Sequence, residues 1–401
     1  MHFAHGSTPI RKKWERSELM IPYGRQEVTD DDVEAVVAVL RSDLLTQGPV
    51  VPRFEEKVAA YTGAVHAVAM NSATSALHAA CLSLGLGRGD YLWTTPITFV
   101  ASANCALYCG ARVDFVDIDP RTGNLSVDCL AKKLAIAEKA GELPKIVIPV
   151  HLSGLPCDME AIHALGCRFG FRIIEDASHA IGARYRGEYI GSCRFSEITV
   201  FSFHPVKIIT TGEGGMALTN DPVLAERMSL LRSHGITRDA EQMTREPDGP
   251  WYYQQIDLGF NYRMTEMQAA LGISQLTRLD EYVARRHALA KRYDAALAGL
   301  PLVLPTRPSD SLSALHLYVV RLQDARKHRS VFEALRSAGI AVNLHYIPVH
   351  TQPYYEKLGF RAGQFPEAER FYTEAISLPM FPTLPYADQD CVVSQLGGLL
   401  R

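Results

Sequence analysis

Short apolar runs alternate with amphipathic stretches along the first two thirds of the chain. The runs at His66–Met70, Tyr91–Thr95, Arg112–Asp117, Lys145–Val150, Arg172–Glu175, Ile198–Phe201 and Met216–Thr219 have the length and content of strands. Helix-length segments separate most of them: Ala73–Leu84, Ala101–Cys109, Val127–Ala140 and Met159–Phe169. Upstream, 29–41 reads as a helix, because Thr29 and Asp30 can cap it and Val33, Val36, Val37 and Leu40 share one face. Strands separated by helices predict an α/β fold, a mostly parallel central sheet flanked by helices. Ligands of such sheets sit beyond the carboxyl ends of the strands, so the residues just after each run are where chemistry is to be sought.

The pattern changes after residue 264. A long helical stretch from Thr265 to about Leu297 is closed by Pro301, Pro305 and Pro308. Strand patterns near Leu315–Leu322 and Ala341–Tyr346, with helical ones near Ser330–Ala338 and Glu367–Ala375, predict a smaller α+β C-terminal domain. The expected division is an extension at 1–20, a large domain at 21–264, and a connecting helix with the small domain at 265–401. The extension lacks apolar periodicity and the apolar centre of a signal peptide, so it is expected to be disordered, with Met20 an alternative start. The stretch 238–255, rich in charge, Gly, Pro and aromatics, is expected to be a mobile loop.

Composition narrows the partners. Lys plus Arg is 41 and Asp plus Glu is 44, a net charge of −3, which gives no basic excess for nucleic acid or an anionic membrane surface. No apolar stretch reaches the roughly 20 residues of a membrane span. The eight cysteines, Cys81, Cys105, Cys109, Cys129, Cys157, Cys167, Cys193 and Cys391, form no CxxC pair. They read as thiols of a reducing compartment, with the cytoplasm expected and no metal site.

Three motifs carry chemistry. Lys207 follows the strand ending at Phe201, in Ser202-Phe203-His204-Pro205-Val206-Lys207-Ile208-Ile209. Its apolar neighbours would desolvate the ammonium and favour the free amine, although an isolated lysine is more often a surface residue. Gly212 to Gly215 do not form a dinucleotide fingerprint, because the spacing is wrong and a strand follows. Asp176 ends an apolar strand in Ile173-Ile174-Glu175-Asp176-Ala177-Ser178-His179, either as a partner for a pyridine nitrogen or as an ordinary loop or capping carboxylate. His179 could pack on a ring or orient its hydroxyl, or be structural. Asn71-Ser72-Ala73-Thr74-Ser75 joins a strand to a helix, and N–H groups with hydroxyls there suit a phosphate as well as a plain N-cap. Ser202 can add a hydroxyl. Phe99, beyond the strand end in Thr95-Pro96-Ile97-Thr98-Phe99, is a candidate for stacking on an aromatic ring or a core residue. An amine, an acid and a phosphate cradle at successive strand ends are what pyridoxal phosphate requires.

These motifs together resemble the DegT/DnrJ/EryC1/StrS family of sugar aminotransferases, from about Ile21 to the C-terminus. The resemblance implies the fold of type I pyridoxal-phosphate transferases. It also implies that Lys207 carries the cofactor covalently, Asp176 pairs with its ring nitrogen, Phe99 stacks on it, and Ser72, Ala73, Thr74 and Ser202 hold its phosphate. His179 stands near the cofactor hydroxyl where many relatives have glutamine. Asn261, in Gly259-Phe260-Asn261-Tyr262, matches an asparagine that relatives lend to the partner's cofactor phosphate, which implies a homodimer with shared sites. Leu344-His345-Tyr346-Ile347-Pro348-Val349-His350 resembles a segment bordering the sugar, so Tyr346 and His350 become substrate contacts, with Tyr23 and His234 from further matching segments. Ile21-Pro22-Tyr23-Gly24-Arg25-Gln26, Leu45-Thr46-Gln47-Gly48 and Leu231-Arg232-Ser233-His234-Gly235 resemble the members that serve pseudaminic acid synthesis. For those, L-glutamate aminates C4 of a UDP-linked 4-keto-6-deoxy-N-acetylhexosamine.

Other readings stay open at this point. One is another nucleotide-linked 3- or 4-keto sugar. A sugar dehydratase of the family would have histidine in place of Lys207. A non-catalytic sensor on the same fold would lack one of the three cofactor groups, and none is missing here.

Overall fold

Seven strands build the central sheet: β1 His66–Met70, β2 Tyr91–Thr94, β3 Arg112–Phe115, β4 Ile146–Ile148, β5 Arg172–Asp176, β6 Ile198–Ser202 and β7 Gly215–Thr219. They come from a computed structural model that describes residues 20–401; the expected extension, up to residue 19, lies outside the described residues. The strand order is β1-β7-β6-β5-β4-β2-β3. Strand β2 pairs in parallel with β3 and β4, β4 with β5, and β5 with β6. Only β7 runs against its neighbours, β1 and β6. The connection from β6 to β7 carries no helix, and without a crossover the chain must turn back.

Strands β6 and β7 are buried along their whole length, as a sheet covered on both faces requires. The covering helices include Ala73–Ser83, Ala101–Tyr108, Val127–Ala140 and Met159–Phe169, each close to its expected bounds. Ser72, Ser126 and Asp158 cap three of them with side-chain oxygens that accept backbone N–H groups. One apolar cluster, including Val68, Leu92, Ile148 and Val200, fills one side of the sheet; another, including Trp93, Val147, Ile173 and Phe201, fills the other. A third, around Tyr293, Tyr318, Leu335 and Leu396, packs the C-terminal elements.

The long pattern at 265–297 is two helices, Glu266–Leu276 and Leu279–Leu297. They part where Arg278 leaves helical geometry and its guanidinium meets the buried Asp32 carboxylate at 2.7 Å. A small antiparallel sheet follows, β8 Leu302–Val303, β9 Tyr318–Leu322 and β10 Ala375–Leu378, ordered β8-β9-β10. The strand expected at 341–346 is reduced to Ile340–Ala341, which pairs with Ile21–Pro22. Beyond it strand pairing is reduced to an isolated antiparallel bridge between Asn343 and Ser377, and Asn343, His345 and Tyr346 line the cavity described below. Helices Val50–Thr62, Pro222–Arg232 and Tyr386–Leu400 and strand β10 are additions to the sequence expectation. Loop 238–255 is closed at its base by the pairing of Ile236–Thr237 with Gln254–Gln255. Among the described residues no helix is long and apolar enough to cross a membrane.

Candidate active site

The carboxyl ends of β1, β5 and β6 open on one cavity of about 950 Å³. It gathers Ser72, Ala73, Thr74, Phe99, Asp176, His179, Ser202, Lys207, Tyr23 and Tyr346. Ten of the sequence-derived candidates thus share one wall-to-wall space, although they are spread over more than 300 positions (23 to 346).

Lys207 enters from the tight turn after β6, its N–H bonded to the His204 carbonyl at 2.9 Å. Enclosure by protein pushes its ammonium down from 10.5 to about 8, against the pull of the Asp176 carboxylate. Asp176 closes β5 and is 4% exposed. Its Oδ2 accepts the Ser102 hydroxyl at 2.6 Å and its Oδ1 the Ser178 N–H at 3.1 Å. Ser102 is in turn 2.7 Å from the Thr98 hydroxyl. These partners hold the carboxylate in one orientation at the cavity floor.

The cradle is a helix start. Ser72 takes the Ser75 N–H at 3.1 Å, which leaves the N–H groups of Ala73 and Thr74 without intrahelical partners at the cavity end. Ser202, at the end of β6, stands opposite Gly215 in the ladder, and Gly215 opposite Met70. A Cβ at 215 would lie 2.3 Å from the Ala73 nitrogen and 2.4 Å from the Ser72 carbonyl carbon. Only a glycine lets β7 approach the helix start this closely and bring Ser202 beside it.

Phe99 is 59% exposed and faces the cavity, so it is not a core residue. His179 is buried; its Nδ1 accepts the Ser153 N–H at 3.3 Å and its Nε2 lies 3.1 Å from the Tyr346 hydroxyl. Burial, with Lys207 and His345 nearby, holds its imidazole well below the usual range. Burial raises the Tyr346 and Tyr23 hydroxyls.

Three candidates lie elsewhere. Asn261 is exposed and outside the cavity of its own chain, its carbonyl accepting the Asn71 amide at 3.3 Å. His234 is exposed on a left-handed residue (φ 63°), its N–H bonded to the Phe260 carbonyl. His350 corrects the expectation of a substrate contact: it is fully buried, 2.9 Å from Glu369 and against Phe365, so no ligand in the cavity reaches it.

The cavity also contains residues that the sequence motifs did not single out: His316, Asn343, His345, Glu213, Gln268 and Ser178. His345 bonds Ser377 at 2.8 Å and is pushed down to about 4 by burial and Lys207. His316 sits 4.4 Å from His179, ring centre to ring centre, and is likewise depressed by burial and by His179, Lys207 and Arg286. Nothing local marks these histidines, which reach the cavity from the C-terminal part of the chain.

Residues 26–397 match the family model described as the DegT/DnrJ/EryC1/StrS aminotransferase family. The spore coat polysaccharide biosynthesis protein SpsC of Bacillus subtilis is 36% identical over 387 residues, 95% of this chain and 97% of that protein. Among solved structures, Helicobacter pylori PseC, an aminotransferase involved in pseudaminic acid biosynthesis, superposes with a TM-score of 0.88 at 30% identity, covering 95% of this chain and 99% of its own. Spr1654 of Streptococcus pneumoniae, assigned as a sugar aminotransferase, matches in its pyridoxamine-phosphate form with a TM-score of 0.87 at 30% identity (94% of this chain, 98% of that one). Its pyridoxal-phosphate form gives 0.86 at 29% (95% and 98%).

Proposed function

The chain belongs to the DegT/DnrJ/EryC1/StrS aminotransferase family, and from that premise we propose that it moves the amino group of L-glutamate to C4 of a UDP-linked 4-keto-6-deoxy-N-acetylhexosamine. It is a pyridoxal-phosphate-dependent sugar aminotransferase. The observation that carries the assignment of roles is the meeting of Lys207, Asp176 and the Ser72–Thr74 helix start in one cavity.

The residues fit the cofactor. A buried carboxylate with two donors on it is shaped to accept one further proton-bearing nitrogen. Unpartnered N–H groups and hydroxyls at a helix start suit a phosphate dianion. An aromatic ring left exposed inside a cavity suits stacking on a flat heterocycle. When bound, the cofactor supplies an electron sink that makes a substrate C–H bond acidic.

Everything else falls to the protein. Lys207 Nζ is the amine placed to tether the cofactor and, once released, to take a proton from one carbon and return it to another. With its pKa near 8, about one molecule in eleven has the free amine at pH 7, against about one in three thousand for an ordinary lysine. Asp176, held by Ser102 and Ser178, would pair with the cofactor's ring nitrogen and favour its protonated form. Ser72, Thr74 and Ser202 would hold the phosphate, and Phe99 would offer its ring for stacking. The cavity extends past these groups to Tyr23, Asn343 and Tyr346, a polar lip for a hexose. Asn261, exposed beside Asn71, is available to a second copy of the chain, which supports a homodimer as the active unit.

Likeness to PseC and SpsC, named for pseudaminic acid and spore coat polysaccharide synthesis, supports a nucleotide-sugar substrate. The test is a panel of UDP- and dTDP-linked 3- and 4-keto sugars with glutamate, products read by NMR. Amination at C4 of the UDP-linked 6-deoxy-N-acetyl sugar is expected. Product only from a 3-keto or dTDP-linked sugar would replace the substrate.

A further inference from the structure

We propose that Tyr346 is a one-way hydrogen-bond donor, set by His179 and the Ser153 backbone, that presents its hydrogen to an acceptor oxygen of a ligand inside the cavity. The direction follows from one end of a chain of contacts. A backbone amide can only donate, so the Ser153 N–H, 3.3 Å from His179 Nδ1, requires a lone pair there. A neutral imidazole then carries its proton on Nε2. That proton faces the Tyr346 oxygen at 3.1 Å, so the tyrosine accepts from the histidine. The hydroxyl's own hydrogen has to point elsewhere, and among the described residues no other protein group bonds this hydroxyl. The cavity is what remains.

Two further features hold the arrangement. The imidazole stays neutral because it is buried beside Lys207 and His345. The phenol stays protonated, since burial, Asp176 and Tyr23 all oppose its ionisation. The start of the chain is anchored by special backbone: Ser153 has φ 61° and Gly154 φ 91°. A Cβ at 154 would stand 2.8 Å from the His179 carbonyl oxygen and 3.0 Å from the Leu315 nitrogen. Strained conformations held by surrounding structure are a mark of functional positioning. Here they aim one N–H at one ring nitrogen. Tyr346 lies nearly parallel to His179, 6.1 Å between ring centres at 17°, which restricts its rotation.

The acceptor is either the phenolic oxygen of the cofactor or the carbonyl oxygen of a keto sugar; the second rests on the substrate reading above. Tyr346→Phe keeps the ring and removes the donor, and pyridoxal-phosphate-loaded enzyme is the material for both arms. If the acceptor is the cofactor oxygen, the absorbance titration of the bound cofactor moves up by about one pH unit, because a donor to the deprotonated oxygen is lost. If it is the sugar carbonyl, calorimetry shows the wild type preferring the UDP-4-keto sugar over its 4-deoxy counterpart, which has no oxygen at C4, by about tenfold, and Tyr346→Phe losing that preference. His179→Gln, whose amide can accept from Ser153 and donate to Tyr346, retains whichever signature the wild type shows, and His179→Leu loses it. Tyr346→Phe protein that loads fully yet moves neither quantity overturns the proposal. Wild-type enzyme that binds no keto sugar removes the substrate reading instead, and the cofactor titration alone then decides whether Tyr346 donates.

Discussion

Replacing Lys207 with methionine in the cofactor-free protein should raise stability at neutral pH, by an amount that shrinks as the pH rises. Burial lowers the ammonium from 10.5 to about 8 even though Asp176 attracts it, so the fold holds a cation it disfavours. The difference of about 2.5 units corresponds to about 3 kcal/mol at 1.36 kcal/mol per unit. Below pH 8 the folded and unfolded chains both carry the proton, and the whole cost is present. Between 8 and 10.5 the unfolded chain binds a proton that the folded chain has released, so wild-type stability climbs with pH. Lys207→Met has no such group, and methionine matches the aliphatic length of the lysine. Urea unfolding of both cofactor-free proteins at pH 7.5 and 9.5 isolates the effect, because other titrations cancel in the difference. The stability gap should close by about 2 kcal/mol between those two values. Parallel curves for the two proteins would show that Lys207 titrates as an exposed lysine does, and the account of its free amine at neutral pH would fall with it.

Two further outcomes follow from the geometry. Gly215→Ala should leave the chain folded but weaken pyridoxal phosphate binding by at least about tenfold, since a Cβ 2.3 Å from the Ala73 nitrogen must displace the cradle; fluorescence titration of the apo-protein measures it. His350→Leu should lower stability by about 1–3 kcal/mol through loss of the bond to Glu369 while KM for both substrates stays unchanged, because the ring is buried away from the cavity. A raised KM with normal stability would return His350 to the substrate site.

The sheet was legible because its strands are short apolar runs with helices between them, and their carboxyl ends mark where the cavity lies. Ile198–Ser202 is the plainest case, buried throughout and mostly apolar, with Ile198, Val200 and Phe201 on its two faces. Helix Val50–Thr62 was not legible in the same way: it opens on Val50, Val51 and Pro52, two β-branched residues and a helix breaker that is tolerated in the first turn. The segment 342–346 alternates like a strand, yet it keeps only the single bridge of Asn343 to Ser377, and its polar members line the cavity. His350 and His345 illustrate the limit of motif reading. They lie five residues apart, and one is sealed against Phe365 while the other lines the site. What separates them is the packing of elements distant in sequence, which no local pattern encodes.

That packing also divides the proton chemistry of the cavity. His179 and His316 are held well below the normal histidine range and His345 at about 4, by burial first and by the nearby cations after it. Tyr346 is driven the other way. Near neutrality these histidines stay neutral and the phenol stays protonated, so they orient and donate hydrogen bonds without exchanging protons. Of the lysine and these three histidines, Lys207 alone keeps a pKa close to the working range, at about 8. A transamination needs a base that gives up and regains a proton within one turnover, and efficiency is greatest when its pKa lies near the ambient pH. Burial is the largest cause on both sides of the division: it lowers an amine that starts high into the useful window and, helped by nearby cations, pushes imidazoles that start near the window out of it.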